Sequence, residues 1–116
     1  MNETNGQDNF LDLVPVRKCK WETTEDGRTC FVVPRFRNRL LKWIAFKHGK
    51  SEFVRIYLDD KGAAVWHLID GAKSVEEIGK HLEREDGETE EQMYDRLSDY
   101  VSILARNKFI DLKKDG

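Results

Sequence analysis

The stretch LDDKGAAVWHLIDGAKSVEEI, Leu58 to Ile78, decides how the chain is read. Leu58, Gly62, Val65, Trp66 and Ile69 recur at i, i+4, i+7, i+8 and i+11, one face of a helix. Asp59 or Asp60 can cap its start by accepting orphan backbone N–H groups. Asp70-Gly71 ends it. Ser74-Val75-Glu76-Glu77 then has the form of a capping box, in which Ser74 and Glu77 each bond the other's backbone N–H. That box opens a second helix with Val75, Ile78 and Leu82 facing inward.

Toward the C-terminus, Asp86-Gly87 breaks the second helix. Thr89-Glu90-Glu91-Gln92 is another capping box, opening the longest helix, about Glu90 to Arg106. Its inward stripe is Met93, Leu97, Tyr100, Val101 and Leu104, and Asn107 is placed to take the left-handed conformation at its end. Phe109 to Leu112 reads as a short closing strand before a charged tail, 113–116.

Toward the N-terminus the period changes from helical to alternating. Val14 to Trp21 and Thr29 to Val33 read as a hairpin around Asp26-Gly27, both of which tolerate the positive φ such turns demand. A two-residue loop sets Trp21 opposite Val32 and Cys19 opposite Pro34, so no Cys19–Cys30 bridge is expected. Ser51 to Leu58 reads as a third strand. Its aliphatic side, Val54, Ile56 and Leu58, is assigned to the core, and Phe53, Arg55 and Tyr57 to the other face. Residues 1–12 read as a disordered leader. The expected fold is α+β and winged-helix-like: an N-terminal three-stranded antiparallel sheet, three helices and a short C-terminal strand. It forms one domain over 13–112, since 116 residues suffice for one core.

Several functions lose support from the same residues. Twenty Lys and Arg stand against 22 Asp and Glu, a net charge of -2, where a nucleic-acid binder is expected to be basic. No apolar run approaches the roughly 20 residues of a membrane helix. The first residues lack a basic and an apolar segment of signal-peptide type, so a cytoplasmic location is expected. Two cysteines and three scattered histidines make no zinc spacing, and no serine lies in GxSxG. No GxGxxG or Walker loop occurs. Catalysis needs a constellation of groups that these residues do not assemble, which weighs against an enzyme.

Leu58 to Ile78 resembles the PqqD family, the coenzyme PQQ synthesis protein D type, whose run of Leu, Gly-Ala, Trp/Ile-x-Leu-x-Asp-Gly, Lys-Ser-Val and Glu-Ile is matched here. The likeness extends less specifically over Val14 to Leu112. It implies a winged-helix module that recognises the leader of a ribosomally made precursor peptide. The leader is held as an added β-strand beside the third strand and against the third helix, then presented to a radical S-adenosylmethionine maturation enzyme. Carried onto this chain, the peptide-binding residues are Phe53, Val54, Arg55, Ile56 and Tyr57 on the strand and Tyr94, Leu97 and Val101 on the helix. The resemblance implies no cofactor and no catalysis.

An ordinary sheet strand is the plain alternative for Glu52 to Leu58, and core packing the plain alternative for the helix residues. The segment 35–50 carries six Lys/Arg and no acid. It suits a solvated insertion, a docking surface for an acidic partner through Arg35, Arg37, Arg39 and Lys42, or, less well, nucleic acid or a membrane surface. Glu83 to Asp95 holds seven acids and one base, read as a solvated loop and a helix N-terminus, without EF-hand spacing. The rival function is a winged-helix DNA-binding regulator. Against it, the third helix begins Glu90-Glu91 and exposes Asp95 and Asp99, which repel phosphate. Whether the chain forms a homodimer is left open.

Overall fold

A computed structural model describes residues 10–34 and 53–114. The elements run β1 (Leu13–Arg17), β2 (Lys20–Thr23), β3 (Thr29–Pro34), β4 (Phe53–Tyr57), α1 (Asp60–Leu68), α2 (Val75–His81), α3 (Glu90–Arg106) and β5 (Ile110–Lys114). This is the expected α+β order, with antiparallel strands, three helices and a short C-terminal strand. The chain divides into two compact units, Met1–Lys18 with Lys61–Gly116, and Cys19–Asp60.

The first unit holds the helices and a two-stranded antiparallel ribbon of β1 and β5. Gly62, Val65 and Trp66 are buried on α1 and Ile69 just beyond it, as the helical period requires. Asp70 then makes the turn. Its Oδ1 accepts the N–H groups of Ala72 and Lys73, both at 2.9 Å, and Gly71 takes φ +80°. Both capping boxes form: Ser74 with Glu77 before α2, and Thr89 with Gln92 before α3. Each satisfies two backbone groups reciprocally. Val75, Ile78, Met93, Leu97, Val101 and Leu104 are all buried. α2 packs on α3 and on β1, and α3 packs on β5.

Six local expectations for this unit are corrected. The strand expected from Val14 to Trp21 is two strands, β1 and β2, in different sheets. Lys18 donates to the Phe109 carbonyl at 2.9 Å, so the chain serves β5 up to that point and β3 from Lys20 onward. α2 ends at His81, with Leu82 extended and half-buried, well before Asp86-Gly87. At the end of α3 the left-handed residue is Lys108, φ 64°, while Asn107 has φ −90°. Lys108 N–H reaches Ala105 O and Phe109 N–H reaches Leu104 O, both at 3.0 Å, the paired bonds of a Schellman motif. Tyr100 is only half-buried. β5 also extends to Lys114, taking in two lysines assigned to the tail, and Phe10 and Leu11 of the expected leader are helical and half-buried.

The second unit is a three-stranded antiparallel sheet in the order β2-β3-β4. Its hairpin loop has three residues, not two. Thr24 N–H donates to Arg28 O at 2.8 Å, and Gly27 N–H to Thr24 O at 2.9 Å. Gly27 takes φ +88°, so a four-residue turn is closed by one left-handed residue. The extra residue moves the register by one. Trp21 faces Phe31 and Lys20 faces Val32, replacing the expected pairing of Trp21 with Val32. Cys30 and Phe31 are buried, and both cysteines are free thiols.

Candidate functional site

β4 is the edge of its sheet. It pairs with β3 on one side, Ile56 opposite Phe31 and Arg55 opposite Val32, and among the described residues no strand pairs with its other side. The register says which backbone groups face outward. Leu58 N–H donates to Thr29 O at 2.9 Å, extending the β3–β4 ladder by one residue. In an antiparallel pair every second residue exchanges bonds with its partner. Val54 and Ile56 therefore bond β3 with Leu58, while the N–H and C=O of Phe53, Arg55 and Tyr57 are directed to the outer edge.

Side chains alternate in the same way. Val54, Ile56 and Leu58 share a face with Trp21 and Phe31. This side was assigned to the core, but Val54 and Leu58 are half-buried and Ile56 is 39% exposed. An edge strand has a neighbour on one side only, so half the cover a central strand receives is missing. Phe53, Arg55 and Tyr57 occupy the opposite face and are exposed. Arg55 Nε donates to Glu22 Oε1 at 2.8 Å, a bond that runs diagonally over β3 and raises the guanidinium pKa. The Arg28 guanidinium lies 4.2 Å from the Tyr57 ring centroid and stacks on it. Among the described residues the strand thus presents apolar surface, one cation and a backbone edge that no strand pairs.

The helix residues named from the sequence belong to the other compact unit. Leu97 and Val101 are 1% and 0% exposed and form its core. Tyr94 is half-buried. Its hydroxyl donates to Glu76 O at 2.9 Å, and partial burial raises its pKa. The ring covers Gly79, which the sequence reading did not single out; a Cβ there would stand 2.7 Å from Cζ. Arg35, Arg37, Arg39 and Lys42 lie outside the described residues.

Two other charged sites are built into the helical unit. Arg17 Nη2 donates to the Trp66 carbonyl at 2.7 Å with its guanidinium 5.3 Å from the ring centroid, and burial lowers its pKa. Arg96 grips Glu88 with two bonds, 2.9 and 3.0 Å, which hold that carboxyl down to about 2. Lys61 joins the group through Glu85 at 2.7 Å. Among the described residues no group of His, Cys, Asp and Glu is placed to hold a metal, and no helix is long and apolar enough to cross a membrane.

Comparison with curated proteins gives no match, and neither does comparison with solved structures. A family profile described as coenzyme PQQ synthesis protein D matches residues 51–110, from β4 through the three helices to the start of β5. That segment holds the Leu58–Ile78 run, both capping boxes and the whole edge strand, and covers more than half of the chain: the protein is a member of the PqqD family.

Proposed function

We propose that this protein is a non-catalytic peptide chaperone. It binds the leader of a ribosomally made precursor by β-strand addition at β4 and presents it to a maturation enzyme of the radical S-adenosylmethionine type. Family membership supports a role in precursor-peptide binding. The observation that carries the finer reading is the outer edge of β4, where Arg55 and Tyr57 direct backbone donors and acceptors away from β3. An extended peptide satisfies such groups as a further strand, and the exposed Phe53, Ile56 and Tyr57 add apolar contact. Leu97 and Val101 support α3 from within, and Tyr94 is the half-buried one of the three helix residues. The basic residues Arg35, Arg37, Arg39 and Lys42 suit a docking surface for an acidic partner. DNA binding through α3 is disfavoured by the exposed Glu90, Glu91, Asp95 and Asp99.

The register makes the test specific. Proline removes one N–H, which a strand tolerates only where that group serves no neighbour. Arg55→Pro removes an outward donor, so the protein should fold and lose the peptide. Ile56→Pro removes a donor to β3 and should disrupt the sheet. Titration calorimetry with synthetic leaders of candidate precursors, taken from short reading frames found near this protein's own, should show binding of one by the parent and none of it by folded Arg55→Pro. No binding by the parent, or equal binding by both, rejects the proposal.

A further inference from the structure

We infer that the strand added to β4 carries a carboxylate side chain facing Arg55, and that Glu22 masks Arg55 until that carboxylate arrives. The inference rests on the reading of β4 as a peptide-accepting edge. Arg55 and Glu22 are on the same sheet face but two strands apart, so the arginine leans inward over β3 to reach its partner. A strand added to β4 lies on the opposite side of it, about 4.8 Å away, and its residue opposite Arg55 projects from the same face. The guanidinium therefore has one carboxylate behind it and room for another in front.

The exchange is cheap in both directions. The Arg55 and Glu22 side chains are 54% and 46% exposed, and they share a single Nε–Oε1 bond. Exposed pairs of this kind are weak and easily traded. The displaced Glu22 does not lose all compensation. Lys20 is exposed, two residues away on the same strand face, and directly in line with Val32 and Arg55. Among the described strand residues of this face, the cations Lys20 and Arg55 stand against the one acid Glu22, and the Arg28 guanidinium lies beside them on the Tyr57 ring, a setting that attracts a second acid. On the other face Ile56, beside Phe31, calls for an apolar residue. The ligand is thus an extended segment with Asp or Glu on one face and aliphatic neighbours on the other. Glu22 acts as a positioning residue that sets how strongly the acid is rewarded.

The test selects random dodecapeptides displayed against the full-length parent. Bound peptides are then measured with their acid intact and with that acid changed to Gln. Amide exchange at Arg55 and Tyr57 reports strand addition without any substitution in the protein. The expected pool is enriched in Asp or Glu at one position flanked by aliphatics, with slowed exchange at both amides. Glu22→Gln should tighten the acidic peptide about two- to fivefold, the range of an exposed ion pair, and leave the Gln peptide unchanged. Arg55→Gln should erase the difference between the two peptides. Slowed exchange without acid enrichment overturns the inference and leaves the edge reading standing. An acidic peptide bound no more tightly by Glu22→Gln overturns the masking. A pool that leaves exchange at Arg55 and Tyr57 unaltered overturns both the inference and the reading beneath it.

Discussion

At residue 79 a methyl group decides the sign of a mutation. The Tyr94 ring occupies the space a Cβ would need, and its hydroxyl is tied to Glu76 O, so the ring cannot swing aside without losing that bond. Gly79→Ala should therefore destabilise the protein by about 1–3 kcal/mol, the usual cost of overpacking. In a Tyr94→Ala background the same change should become stabilising by up to about 1 kcal/mol, because alanine is the better helix former once the space is free. Urea titrations of the four proteins check both signs, and additive effects would show that ring and glycine do not couple. Nothing in the sequence marked Gly79, because its role depends on how closely α2 and α3 approach. Trp66 was legible: its spacing from Gly62 and Ile69 puts it on the buried stripe, and it is 0% exposed. Arg55 was legible only as an exposed residue. Which way its N–H points depends on the ladder with β3, and alternation along one strand cannot supply that.

The elements that were legible are those whose ends are fixed by neighbours in sequence. Ser74 with Glu77 and Thr89 with Gln92 bond over three residues, so their spacing suffices to place α2 and α3. The hairpin was less legible because Asp26-Gly27 suits loops of two or three residues, and one residue reverses every facing. The end of α3 shows the same limit: its left-handed position goes where the two Schellman bonds fall, at Lys108. A lysine there bears backbone strain that glycine would not. Lys108→Gly should raise stability by about 0.5–1 kcal/mol in a urea titration; a loss would mean the lysine side chain compensates the strain. The loop before α3 is governed by charge. Glu88 ionises more easily when folded, down to about 2, chiefly through its bonds from Arg96. A depressed carboxyl stabilises the fold above its ordinary pKa near 4.5, and that contribution fades as pH falls toward the folded value. Parent and Arg96→Gln should therefore differ at pH 6 and converge as pH falls from 4.5 toward 2. A gap independent of pH would assign Arg96 a packing role instead.

Among the described residues of the whole molecule, the strand pairing most distant in sequence is the ribbon of β1 and β5, with Val14 opposite Lys113 and Arg17 opposite Ile110. Joining strands so far apart closes a long loop, which is slow and brings its reward late. Val14→Ala and Ile110→Ala, both at buried positions, should therefore speed unfolding far more than they slow folding. Stopped-flow chevrons check this, and a large drop in folding rate would place the ribbon in the nucleus instead. The Lys18–Phe109 bond fixes the ladder so that Val14 and Val16 bond β5 and residue 15 turns its backbone nitrogen outward. That residue is Pro15, which has no N–H to offer there. During synthesis β1 leaves the ribosome 92 residues before its partner begins, an interval of about 5–20 s at ordinary translation rates. For that time Leu13, Val14 and Val16 form an unpaired apolar strand in a crowded cell. With a proline at its centre, the strand can wait for β5 without pairing along that edge with a neighbouring nascent chain.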